Sequence, residues 1–153
     1  MNDDARRRLE DLLDREIEIA RMLAATLDAE RAALTGASPE SVEHRAAEKI
    51  RLLGNIEKLE DERRALAQVA GQGLPGTSVA RGTGIAATVA GRWHTLMELM
   101  SGCRMANEIN GHIINLRRGQ IQQLIGVVRG GSPVTYTSQG KTLAKALRAL
   151  AKA

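Results

Sequence analysis

The chain has 153 residues, with no Phe, one Trp, one Tyr and one Cys, and a formal net charge of +4. That length fits one domain, and apolar content carried by Leu, Ile, Ala and Met points away from a large β-sheet core, which favours aromatic and β-branched residues, and toward helices. A single cysteine, Cys103, excludes an internal disulfide and makes a reducing cytoplasm the natural location, while the charge-dense first twenty residues exclude a signal peptide and no apolar run reaches the roughly 18 residues needed to span a bilayer.

The first predicted element is a helix over about 3–34. Leu9, Leu12, Leu13, Ile17, Ala20, Leu23, Ala24, Leu27 and Leu34 recur at three- and four-residue spacing, with charges on the remaining faces. The stretch Thr35-Gly36-Ala37-Ser38-Pro39-Glu40 breaks it. Gly36 suits a helix C-terminus, Ser38 an N-cap, Pro39 the first helical position and Glu40 the first turn. A short connection between two long helices implies an antiparallel hairpin. The second helix runs over about 39–70, with Val42, Ala46, Ile50, Leu53, Ile56, Leu59, Leu66 and Val69 as its expected seam. Its run Glu60-Asp61-Glu62-Arg63-Arg64 is read as a solvated face. Residues 71–84 are rich in glycine and form a predicted loop; Gly82-Thr83-Gly84 lacks the Lys and the preceding strand of a phosphate-binding loop.

The third helix is expected over about 85–128. Its seam is Trp93, Leu96, Leu99, Met100, Cys103, Ala106, Ile109, Ile113, Leu116, Leu124 and Val127. Asn107, Asn110 and Gly111 interrupt it. Asn is a poor helix former and Gly costs roughly 1 kcal/mol against Ala, so the segment gains something there, either close packing or a contact. In the packing reading Gly111 permits close approach of a neighbouring helix and the amides satisfy buried polar groups; in the other reading they face a partner. Arg129-Gly130-Gly131-Ser132-Pro133 ends the helix. Residues 141–153 form a short amphipathic helix with Leu143, Leu147 and Leu150 on one face, too short to be stable alone in water. The expected fold is therefore all-α: an elongated antiparallel helical bundle of three long helices with a short C-terminal amphipathic helix, in one domain.

Charge is divided along the chain. Residues 1–70 hold 16 acids and 12 bases, whereas residues 71–153 hold two acids, Glu98 and Glu108, and ten bases. A basic half can face an acidic partner or its own acidic half. The three histidines lie in different segments without metal spacing, Cys103 reads as a small apolar filler, and no nucleophile–base set or cofactor fingerprint occurs. No catalytic residue, metal or cofactor is expected. Nucleic acid is disfavoured by the near absence of aromatic residues to stack on bases, and membrane insertion by the absence of an apolar span. A helical scaffold with seams and a small apolar-faced terminal helix has the make-up of a binding module.

The stretch Asn107-Glu108-Ile109-Asn110-Gly111, the Gln123-Leu124 pair near the end of the third helix, and Tyr136 and Gly140 in the tail VTYTSQGKT together resemble the FlgN family of flagellar export chaperones. The family often has Gly directly after the tail Tyr, where this chain has Thr137. The resemblance implies a cytoplasmic, non-enzymatic chaperone. Its implied partners are the C-terminal helices of the hook-associated (hook–filament junction) proteins, kept from premature assembly, and the flagellar export gate. On that reading Leu143, Leu147 and Leu150 form or cover the client groove, or else only cap the bundle. Tyr136 and Gly140 dock on the export gate, or else Tyr136 anchors the tail. An exposed seam also allows a homodimer in which two copies cover each other until a client arrives. The rival readings are a structural coiled-coil adaptor and a nucleic-acid-associated basic helical protein.

Overall fold

The computed structural model describes residues 3–36, 38–69 and 87–130. Among them the chain is helical: α1 spans Asp3–Thr35, α2 Pro39–Val69 and α3 Ala87–Val128. These bounds follow the predicted ones closely. The predicted loop 71–84 and the terminal helix of residues 141–153 lie outside the described residues. The chain divides into two compact units, Met1–Asn110 and Gly111–Ala153.

The α1–α2 turn forms as its residue types dictate. The Gly36 amide donates to the Ala32 carbonyl at 2.8 Å, and a Cβ at Gly36 would sit 3.1 Å from that oxygen, so the closing turn is tight for any larger residue. The Thr35 hydroxyl donates to the carbonyls of Arg31 and Ala32. The Ser38 carbonyl accepts the first intrahelical bond of α2, from the Val42 amide at 3.1 Å, and the Ser38 hydroxyl reaches Ser41. At the end of the described residues, Gly130 takes a left-handed φ of 79° and its amide bonds the Val127 carbonyl, ending α3.

In the first unit the pairings fix the topology. Glu16 meets Arg63 and Glu30 meets Lys49, so α2 runs antiparallel to α1. Glu10 meets Thr88, Asp14 meets Arg92 and Ala20 meets Cys103, so α3 returns parallel to α1. The result is an up–down–up three-helix bundle. Two apolar clusters fill it. One joins Leu9, Leu13, Ile17 and Ala20 of α1 to Val89 and Leu96 of α3, with Leu66 and Trp93 against it. The other joins Leu23 and Leu27 to Leu52, Ile56 and Cys103. Each fully buried Leu or Val contributes roughly 1.5–3 kcal/mol of transfer free energy.

A heptad rhythm runs through the buried positions, mostly as four- and three-residue steps in α1 and α2 and as seven-residue steps in α3, at Val89, Leu96, Cys103 and Asn110. In α1 they run Leu9, Leu13, Glu16, Ala20, Leu23, Leu27, Glu30, Leu34. The α1 seam thus matches the sequence reading except that Glu16, Thr26 and Glu30 are also buried and Ala24 is only half-buried. In α2 the expected seam holds at Ile56 and Leu59, which are buried, and at Val42, Ala46 and Leu66, which are half-buried, but not in between. Ile50 and Leu53 are exposed, Ile50 by 69%, whereas Leu52 is 1% exposed and continues through Ile56, Leu59, Arg63 and Ala67. The cause is that two seam positions of α2 are cationic, Lys49 and Arg63, so the eye follows the apolar neighbours Ile50 and Leu53 instead. Val69, also placed in the seam, is exposed. Cys103 is the apolar filler its position suggested: it is buried, its thiol donates to the Ala20 carbonyl at 3.6 Å, and burial pushes its pKa up, with Asp28 adding to the shift.

Candidate functional site

Two polar layers cross the three-helix bundle. In the first, Arg63 Nε donates to both Glu16 oxygens, at 2.9 and 3.3 Å, and its guanidinium lies 4.7 Å from the centre of the Trp93 ring. Glu16 is 1% exposed and Arg63 4%. The run 60–64 is therefore not a solvated face throughout: Arg63 turns inward, while Asp61, Glu62 and Arg64 remain exposed. Burial raises the Glu16 pKa above its ordinary 4.5, and Arg63 offsets this only in part.

The second layer lies two heptads along each helix, about 21 Å by helical rise. Lys49 Nζ donates to Glu30 Oε1 at 2.8 Å and to Asn107 Oδ1 at 3.1 Å. Asn110 Nδ2 donates to Glu30 Oε2 at 2.8 Å and to the Leu27 carbonyl at 2.9 Å, and Asn110 Oδ1 accepts from Arg31 Nε at 3.1 Å. Asn110 is fully buried and Asn107 lies at the exposed rim. Among the described residues no buried side-chain nitrogen or oxygen lacks a partner, so both layers are closed networks. Such layers fix register, because a shift by one turn would bury unpaired charge. Gly111 does not take the role the packing reading gave it. A Cβ there meets nothing within 4 Å among the described residues, so no close helix approach requires the glycine.

The polar layers account for Asn107 and Asn110 but offer no partner surface. The second unit does. Its described residues, 111–130, carry Ile114, Ile121, Ile125 and Val128 at seven-, four- and three-residue steps, which gathers them along one side of α3. All four are exposed, Ile121 by 57% and Val128 by 84%. Leu124 is half-buried at the edge of the stripe, and Gln123 is exposed on the opposite side of the helix. Leu116 and, before the unit, Ile109 are exposed instead of buried in the expected seam. Tyr136, Gly140, Leu143, Leu147 and Leu150 lie outside the described residues.

In the first unit a shallow groove of about 330 Å³ between α1 and α3 is floored by Leu99, Gly102 and Cys103. A wider one of about 740 Å³ is walled by the Asp14–Arg92 ion pair. Neither places a nucleophile beside a base. Among the described residues no three His, Cys, Asp or Glu side chains converge as metal ligands, and no helix is long and apolar enough to cross a membrane.

The family described as FlgN protein matches residues 1–144, nearly the whole chain. The chain belongs to the FlgN family. FlgN proteins are flagellar export chaperones that bind flagellar proteins, and the helical fold of the described residues with its exposed apolar stripe suits that role. Comparison with curated proteins and with solved structures gave no match. The Asn107–Gly111 part of the family motif and the exposed apolar stripe are thus different parts of α3, whereas Leu124 of the same motif edges the stripe. The signal for the buried layers was present but unread: Glu16 and Glu30, like Lys49 and Arg63, stand two heptads apart within otherwise apolar seams.

Proposed function

We propose that this FlgN protein binds the C-terminal amphipathic helices of hook-associated proteins, prevents their premature assembly and delivers them to the flagellar export gate. The observation that carries the client-binding part is the exposed stripe Ile114, Ile121, Ile125 and Val128. A helix of the client laid along it would bury apolar surface on both partners at roughly 25 cal/mol per Å², and release would leave a helix that stays in solution by virtue of its charged faces. Leu143, Leu147 and Leu150, outside the described residues, form or cover the client groove in this reading, and Tyr136 with Gly140 serves the export gate. A cytoplasmic location follows from that task. A second copy is the competing occupant of the same stripe.

Calorimetric titration of the full chain with C-terminal peptides of hook–filament junction proteins tests the reading. An I121N/I125N variant should bind at least tenfold more weakly while melting at the wild-type temperature. Unchanged affinity removes the stripe from the client site. For the second step, a Tyr136→Ala chain should bind clients normally yet export them poorly; normal export defeats the docking role.

A further inference from the structure

The stripe says that a helix docks; the charges around it say which kind. Three contacts between helices of the first unit pair a cation with a carboxylate of the partner helix: Arg63 with Glu16, Lys49 with Glu30 and Arg92 with Asp14, whereas Arg31 meets the Asn110 amide. Beyond Glu108 the chain has no Asp or Glu at all, while Arg117, Arg118 and Arg129 accompany the stripe and four further cations, Lys141, Lys145, Arg148 and Lys152, follow. Arg118 and Arg129 are exposed. One solution this chain uses for a helix–helix contact is an apolar seam edged by cation–carboxylate pairs; on this face Arg118 and Arg129 supply the cations, and no Asp or Glu follows Glu108 in the sequence.

We propose that the α3 stripe takes an amphipathic partner helix whose flanks are acidic, with the Arg118 and Arg129 side of α3 pairing those flanks. This rests on the reading of the stripe as the client surface and names the chemistry of the client. The same charges work against two other occupants. The chain's own terminal segment is purely cationic, as is the matching face of a second copy, and either would place like charges side by side. Acidic flanks would in addition steer encounter, with the salt sensitivity of exposed charge pairs.

Three labelled peptides with one shared apolar heptad face, flanked by Glu, Gln or Lys, should be titrated against the full chain by fluorescence anisotropy. The expected order is Glu tighter than Gln, and Gln tighter than Lys. The first step should be about fivefold at low salt and shrink as the Debye length falls from about 10 Å at 0.1 M to about 3 Å at 1 M. An R118Q/R129Q chain should lose most of the preference for Glu while binding the Gln peptide as before. Equal affinity for the three peptides overturns the proposal, as does a preference that survives R118Q/R129Q. So does tighter binding by a peptide of residues 141–153, or a stable dimer in sedimentation that excludes the Glu peptide. If the Glu peptide wins but junction-protein helices do not bind, the charge assignment stands and the client identity falls. If junction helices bind without regard to flank charge, the reverse holds.

Discussion

The two parts of α3 make an instructive pair. Both carry apolar residues at heptad spacing on one continuous helix. In residues 87–110 the seam is buried at Val89, Leu96, Cys103 and Asn110; in residues 111–128 the residues at the same rhythm, Ile114, Ile121 and Val128, are exposed. Periodicity therefore reports which side of a helix is apolar, and not what covers it. Cover in the first part comes from α1 and α2, whose seams match it step for step through the two polar layers. The last α1 residues bonded to α3 are Leu27, Glu30 and Arg31, and α1 ends soon after at Thr35. An uncovered seam of this kind is unusual on a protein meant to remain alone, and natural on one that holds a partner reversibly.

The contrast can be broken by paired truncations. Leu96→Ala should cost about 2–5 kcal/mol of unfolding free energy in urea titrations followed by circular dichroism. Ile121→Ala should stay within about 0.5 kcal/mol of wild type. Similar losses at the two sites would mean that the second part is covered after all. A smaller effect is expected where the covered part ends. Asn110→Ala strips a donor from Glu30 and from the Leu27 carbonyl and should cost about 1–3 kcal/mol. Asn107→Ala, at the rim, should be close to neutral in the same assay, and equal costs would remove the distinction between buried and rim amides.

The smallest expected effect is one of sign, and it separates inside from outside along α1. Glu16 should titrate above 4.5 because it is desolvated, and Glu10 below 4.5 because the Thr88 hydroxyl and Arg6 favour its anion. Hence Glu10 contributes stability above pH 4.5 that is lost as pH falls through its lowered value. The contribution of Glu16 is fully present below pH 4.5 and shrinks as pH rises through its raised value. Carboxyl chemical shifts followed by NMR between pH 3 and 7 check the order, and Glu16 titrating first on the acid side would contradict its burial.

Much of the bundle is written locally. Leucine spacing set α1 and its buried face, Gly36 through Glu40 set the hairpin, and Gly130 set the end of α3, since helix periodicity and capping depend on near neighbours. The family, too, could be read from Asn107, Asn110 and Gly111 with the tail residues that follow. The middle of the α2 seam could not. Lys49 and Arg63 look like surface residues until Glu30 and Glu16 are brought opposite them, because a charge is acceptable in a seam only when another helix presents its counter-charge. The same holds for Asn110, whose amide is explained by two atoms of α1 some eighty positions away. Sequence by itself determined that the three described helices form, where they begin and end, and that each has an apolar side. Tertiary structure alone decided which polar residues are inside and which apolar ones remain open, because burial belongs to pairs of helices and cannot be assigned one helix at a time.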